Sequence, residues 1–137
     1  MKIGLAHVCI ESDDIEKTEE FYRTLGIERQ FEFRNLDDEL VGVYLSFGNG
    51  TYIEVIKNNT PGEAGLLKHF AVEVDNVDEA RAALLNAGVD VTRKELGIDN
   101  TWMITCHDPN GVFIELQEYT HDSMQRIGGR CEVDYTP

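Results

Sequence analysis

The chain is poor in basic residues and has no long hydrophobic run. Twelve Lys and Arg stand against 26 Asp and Glu among 137 residues, for a net charge of −14. Phosphates are neutralised by basic side chains, so this balance excludes nonspecific binding to nucleic acid or to an anionic membrane. No stretch approaches the ~20 apolar residues of a membrane span. Residues 1–10 form only a short run, broken by Gly4 and His7, and do not read as a secretion signal. Cysteine is scarce: Cys9, Cys106 and Cys131 are odd in number and at no metal-motif spacing. Free thiols in a reducing cytoplasm are the reading. The rest is ordinary for a globular protein, with 42% apolar and 28% charged residues. At about 150 residues per domain the length suits one domain or two very small ones, burying roughly 65–70% of the unfolded surface.

An internal repeat organises the chain. Leu5-Ala6-His7-Val8-Cys9-Ile10-Glu11 corresponds to Leu67-Lys68-His69-Phe70-Ala71-Val72-Glu73. Each is a short alternating strand with a histidine third and a glutamate four residues later. Both lead through an acidic turn into a helical pattern that stops at a glycine, Gly26 or Gly88. Further on, Asn49-Gly50-Thr51-Tyr52-Ile53-Glu54 matches Asn110-Gly111-Val112-Phe113-Ile114-Glu115. Asn-Gly is a strong hairpin signal, because both residues tolerate positive φ. The offset is 62 in the first match and 61 in the second.

Each copy reads strand, helix, then further strands. The first helix is expected over residues 14–25, with Ser12 or Asp13 as N-cap, Gly26 as the stop and Ile15, Phe21, Tyr22 and Leu25 on the core face. The second is expected over residues 77–87, ending at Gly88, with Ala80, Ala83, Leu84 and Ala87 inward. Strands are predicted at 27–34 and 40–47, and in the second copy at 89–94 and 101–107. Residues 1–60 and 66–120 are the two modules, 60–65 the linker and 121–137 a tail. Together they give an α+β fold of two βαβββ modules forming a cupped mixed β-sheet with helices on the outer face.

Alternation then sorts the side chains. Ala6, Val8 and Ile10 pack toward the helix, leaving His7, Cys9 and Glu11 on the other face. The same holds for Phe70, Val72 and Val74 against His69, Ala71 and Glu73. In the closing strands Tyr52, Glu54 and Ile56, and Phe113, Glu115, Gln117 and Tyr119, take the non-helix face. Two imidazoles and two carboxylates therefore share that face with aromatic residues. Each alone has a plain structural reading; as a symmetric set of four they point to a divalent cation, whose charge two glutamates cancel. His107 and His121 read as surface residues, Cys9 as a small filler more than a nucleophile, and Trp102 as either core or a substrate wall.

Leu5-Ala6-His7-Val8, Ile53-Glu54-Val55, Lys68-His69-Phe70-Ala71-Val72 and Asp108-Pro109-Asn110-Gly111-Val112-Phe113-Ile114-Glu115-Leu116 resemble the vicinal-oxygen-chelate superfamily over residues 1–120. That superfamily includes glyoxalase I, methylmalonyl-CoA epimerase, extradiol dioxygenases and bleomycin-resistance proteins. The resemblance is nearest to glyoxalase I, whose His, Glu, His, Glu ligand series maps onto His7, Glu54, His69 and Glu115. It implies one divalent metal per site (Ni, Zn, Co or Mn) and a lyase or isomerase that moves a proton next to a carbonyl through a metal-stabilised enediolate. Glu115 is the implied base, with Glu54 as the near-symmetric alternative. Asn58 is the substrate contact that the resemblance implies, Tyr52 and Phe113 are candidate substrate contacts from the face they share with the four residues, and a homodimer is expected. Glu11 stands where bacterial glyoxalase I usually carries an arginine that holds a glutathione carboxylate. Related readings are an epimerase or lyase on another enolisable substrate, or a protein that sequesters a small molecule without turnover.

Overall fold

The computed structural model describes Leu5, residues 7–60 and residues 69–128. Ala6, linker residues 61–65, Leu67 and Lys68, and the tail beyond 128 with Arg130 and Cys131 lie outside the described residues. Two compact units are present: Met1–Leu66 with Asp108–Val112, and Leu67–His107 with Phe113–Pro137. The first contains β1 (His7–Ser12), α1 (Ile15–Arg23), β2 (Glu28–Arg34), β3 (Leu40–Ser46) and β4 (Tyr52–Lys57). The second contains β5 (Phe70–Glu73), α2 (Val77–Asn86), β6 (Glu95–Leu96), β7 (Thr101–His107), β8 (Phe113–Tyr119) and α3 (Met124–Ile127). Their strand orders, β1-β4-β3-β2 and β5-β8-β7-β6, are the same. Each sheet is mixed, with its first and last strands parallel and the remaining pairs antiparallel. The α+β expectation of two βαβββ modules holds. No helix among the described residues is long and apolar enough to cross a membrane.

The sequence repeat is also a repeat of backbone conformation. Gly26 and Gly88 sit at φ 76° and 79°, and Asp38 and Asn100 both at 61°, each pair 62 positions apart. Gly50 and Gly111 sit at 87° and 84°, 61 positions apart. The single-residue difference thus falls at the end of the turn before β3, where Leu40 and Thr101 open corresponding strands. Both helices close in a Schellman arrangement. Ile27 N–H reaches Tyr22 O (3.1 Å) and Gly26 N–H reaches Arg23 O (2.9 Å); Val89 to Leu84 and Gly88 to Leu85, both 3.0 Å, repeat it. A left-handed glycine is what this closure requires.

Several local expectations are corrected. The α1 N-cap is Asp14, not Ser12 or Asp13; its carboxylate accepts from Lys17 N–H at 3.0 Å. Ser12 is unavailable because its buried hydroxyl pairs with Thr18 (2.8 Å) and accepts Asp14 N–H (3.0 Å). The expected core face of α1 omits Thr18 and Glu19, both buried, and Leu25 is only half-buried. Glu19 is tolerated inside because Arg29 of β2 grips both its oxygens, at 2.7 and 2.6 Å. That bond is the main cause holding the Arg29 guanidinium above its ordinary pKa. On α2 the burial is carried by Val77 and Leu84. Ala87 is exposed because it lies in the closing turn, its N–H on Ala83 O and Leu84 O. The strand predicted over 89–94 is reduced to one bridge, Val91 to Cys106, before the short β6. Thr92 breaks the ladder. Its hydroxyl takes Thr105 N–H (2.8 Å), while its carbonyl accepts from Arg81 Nε (2.8 Å).

Burial follows the two-residue period. Val43, Leu45, Ile53 and Val55 are fully buried in the first unit, as are Ile104, Ile114 and Leu116 in the second, beneath Leu84 of α2. Trp102 pairs with Glu118, whose carboxylate accepts Val77 N–H at the start of α2 (2.9 Å). Trp102 also shares parity with buried Ile104 and Cys106, so it lies on the helix side, with Lys94 Nζ 4.6 Å from its ring. The tail opens in α3, where Gln125 bonds the Thr101 hydroxyl (2.9 Å) and Asp99 (2.7 Å).

A buried polar chain runs through the first unit. Asp108 is 5% exposed, and its carboxylate accepts from Tyr22 Oη (3.0 Å), Asn110 N–H (2.8 Å), Val112 N–H (2.9 Å) and Asn110 Nδ2 (3.1 Å). Asn110 Nδ2 also reaches Thr18 Oγ1 at 3.0 Å, joining the turn to Ser12 and α1. Removing a buried acceptor strands its donors, which costs more than the bonds' net worth. Asp108→Ala is therefore expected to lower stability by about 3 kcal/mol, and Asp108→Asn by clearly less. Urea unfolding of both variants, followed by tyrosine fluorescence and circular dichroism, checks this.

Candidate functional site

The parallel strand pairs position the candidate residues. In the first sheet Glu54 lies opposite Cys9, and in the second Glu115 lies opposite Ala71. Each glutamate therefore faces a small residue two positions after a histidine. That leaves space for imidazole and carboxylate to meet diagonally across the pair.

They do meet within each unit. His7 Nε2 lies 3.1 Å from Glu54 Oε2, with the side chains 39% and 20% exposed. His69 Nε2 lies 3.6 Å from Glu115 Oε2, at 43% and 17%. Both units thus present an accessible ring nitrogen beside a largely buried carboxylate oxygen. Two donors on a common ion, with bonds of about 2.1 Å at the tetrahedral angle, stand about 3.4 Å apart. The observed separations bracket that value, and the mixed nitrogen and oxygen donors suit first-row divalent ions. The donor chemistry and spacing therefore fit a divalent metal. Among the described residues, no group of three or more His, Cys, Asp or Glu side chains is gathered into one cluster; each unit holds a pair.

The surroundings of the two pairs differ, and here the sequence reading missed a residue. Tyr44 of β3 lies opposite Glu54, and its hydroxyl is 3.4 Å from both Glu54 Oε2 and His7 Nδ1. Desolvation, reinforced by the Glu54 charge, raises the Tyr44 phenol above its ordinary pKa and keeps it a donor. The corresponding place opposite Glu115 is held by Thr105, whose hydroxyl lies 3.3 Å from Thr92. Glu115 instead accepts from Gln117 Nε2, two residues along its own strand, at 3.0 Å. The available signal for Tyr44 was parity: in β3, Val43 and Leu45 are core, so Tyr44 must face the other way.

Aromatic rings surround the first pair. Tyr44 stacks on Phe31 at 4.4 Å and lies 5.6 Å from Tyr52 and 5.4 Å from the His7 ring. Phe33 completes the patch, 5.4 Å from Phe31. Gly42 makes room for it: a Cβ there would come within 2.8 Å of the Phe33 ring. In the second unit Phe113 stands 5.9 Å from His69 and 5.2 Å from His107. Asn58 commits its side-chain oxygen to Thr60 N–H at 3.0 Å, closing a local turn. Cys9 shares the face, yet desolvation and the charges of Glu54 and Glu11 raise its thiol pKa, which disfavours a nucleophilic thiolate. His121 is exposed, 3.8 Å from Asp122, and away from either pair in sequence and element.

Residues 4–116 match the family described as the Glyoxalase/Bleomycin resistance protein/Dioxygenase superfamily. No curated protein matches the chain significantly. Among solved structures, SMU.1112c is similar at a TM-score of 0.72 and 25% identity, covering 85% of this chain and 98% of that one. The trypanothione-dependent glyoxalase I of Leishmania major is similar at 0.70 and 22%, covering 85% and 87%. A bleomycin-binding protein solved with bleomycin is similar at 0.66 and 18%, covering 86% and 100%.

Proposed function

Because the chain belongs to the Glyoxalase/Bleomycin resistance protein/Dioxygenase superfamily, we propose that it is a divalent-metal-dependent lyase or isomerase of the glyoxalase I kind, moving a proton between carbons next to a carbonyl. The observation that carries the reading is the duplicated pairing of an accessible imidazole with a carboxylate at metal-donor spacing, His7 with Glu54 and His69 with Glu115. The four-donor series His7, Glu54, His69 and Glu115 and a homodimer are what the resemblance to glyoxalase I implies. Cys9 is a free thiol, which suits a reducing cytoplasm.

When bound, a divalent ion supplies the Lewis acidity that stabilises negative charge developing on the substrate oxygens. The chain's own residues do the rest. Glu115 is the base: one of its oxygens takes the proton as the C–H bond breaks, leaving the substrate as an enediolate, and returns it to the neighbouring carbon. Its looser contact with His69 and the Gln117 amide favour this assignment. The amide is a neutral donor that can hold the carboxylate when it is not ligating. Glu54, tighter against its histidine and beside Tyr44, serves as the fixed ligand. Tyr52 and Phe113 flank the pairs as apolar walls for the substrate, and Asn58 offers its remaining amide N–H groups. An α-ketoaldehyde–thiol hemithioacetal is the first substrate to test.

Elemental analysis of the untagged protein after chelation and reloading should find about one divalent ion per four-residue donor set, lost in His69→Ala. A protein that takes up no ion under any loading condition overturns the enzyme reading in favour of sequestration of a small molecule. Glu115→Gln should lower turnover roughly 10²–10⁴-fold, the usual worth of a general base, in stopped-flow or coupled assays on hemithioacetals. Near-wild-type turnover would reassign the base.

A further inference from the structure

Tyr44, His7 and Glu54 form a closed triangle of polar contacts. Its edges are Tyr44 Oη to Glu54 Oε2 (3.4 Å), Tyr44 Oη to His7 Nδ1 (3.4 Å) and His7 Nε2 to Glu54 Oε2 (3.1 Å). An ionised glutamate is acceptor only, a neutral imidazole carries one N–H, and a phenol carries one O–H. Three edges therefore share two protons, and one edge always sets lone pairs against each other. Unless a cation closes it, that edge is a standing cost.

Without an ion, the shortest edge favours the ring proton on Nε2, which lies 3.1 Å from the negatively charged carboxylate oxygen. An ion ligated by both Nε2 and Oε2 needs Nε2 bare, so the ring must carry its proton on Nδ1. The Nε2–H bond breaks and an Nδ1–H bond forms, with no net gain or loss of protons. The Nδ1–H then needs an acceptor, and Tyr44 Oη is placed to be one while its own hydrogen turns to Glu54. All three edges are then satisfied.

We propose that Tyr44 is a positioning residue for cation binding: it receives the His7 Nδ1–H in the loaded state and so pays for the tautomer exchange that bares Nε2. This rests on the proposed metal-dependent function and adds a residue and a role to it. The device belongs to one sheet only, since the register position of Tyr44 is occupied in the other by Thr105, whose hydroxyl is engaged by Thr92. Partners on the far nitrogen of a ligating histidine typically change metal affinity 10–100-fold.

The test uses the full chain and Zn²⁺ as the probe, comparing wild type with Tyr44→Phe, which keeps the ring stacked on Phe31 and removes only the hydroxyl. Competition titration against a chromophoric chelator should show Zn²⁺ affinity roughly 10–100-fold weaker in the variant, while the urea midpoint of the chelated proteins stays the same. Nitrogen-15 NMR, with His7 assigned by His7→Gln, should show the ring proton moving from Nε2 to Nδ1 as wild type takes up Zn²⁺. Equal Zn²⁺ affinity in both proteins, or a loaded His7 still protonated at Nε2, overturns the role of Tyr44 and leaves the proposed function standing. A wild type that binds no Zn²⁺ overturns both.

Discussion

The parallel pairing of the first and last strands in each module is the constraint on which the rest depends. Strands adjacent in sequence can be joined by a hairpin, but a parallel pair needs a crossover. In each module the helix and the two middle strands supply it. Once β1 lies beside β4 and β5 beside β8, the period of two fixes both faces at once. Val8, Ile10, Ile53 and Val55 go toward the helix in one sheet, and Val72, Ile114 and Leu116 in the other. A slip of one residue would turn the histidine and glutamate inward and the aliphatic residues out. The cost of burying those charges and losing that apolar area enforces the register that brings imidazole and carboxylate together. Stability and site geometry are two results of one pairing.

Much of this was legible because it is encoded twice. A single histidine on a strand says little, but two copies of the strand, glycine and hairpin pattern at offsets of 62 and 61 specify element order, faces and the four candidate donors. The left-handed positions Gly26 and Gly88, and Gly50 and Gly111, could be read from the residue type, since glycine takes positive φ without strain. Asp38 and Asn100 adopt the same φ without being glycine, so composition alone hid that they correspond. What escaped the reading depends on partners distant in sequence. Asp108 bonds locally to Asn110 and Val112 N–H, but its other partner, Tyr22, lies 86 positions away. Glu19 sat at a helical position that periodicity makes core, and only Arg29 explains why a charge survives there. The strand expected at 89–94 failed because Thr105 N–H goes to the Thr92 hydroxyl and the Thr92 carbonyl goes to Arg81, so the backbone ladder does not continue. Tyr44 was missed because no second copy drew attention to it: its counterpart is a threonine.

That last difference gives the two carboxylates of a duplicated fold unlike surroundings. The backbones of the two sheets agree in strand order and in the register of Glu54 with Cys9 and Glu115 with Ala71. Side chains one strand further over break the equivalence. Facing Glu54 is a phenol that also reaches the far nitrogen of the paired histidine, inside a layer of stacked rings. Facing Glu115 is a threonine occupied by a neighbour, and the carboxylate takes its hydrogen bond from an amide on its own strand. Glu54 is thereby tied to a different strand, and moving away breaks a contact across the sheet. Glu115 is held instead by a neutral amide on its own strand, a contact that does not cross the sheet. Duplication supplies two carboxylates in equivalent register, and the residue opposite each on the adjacent strand, Tyr44 or Thr105, gives them different partners; under the proposed function that difference separates the fixed ligand from the base.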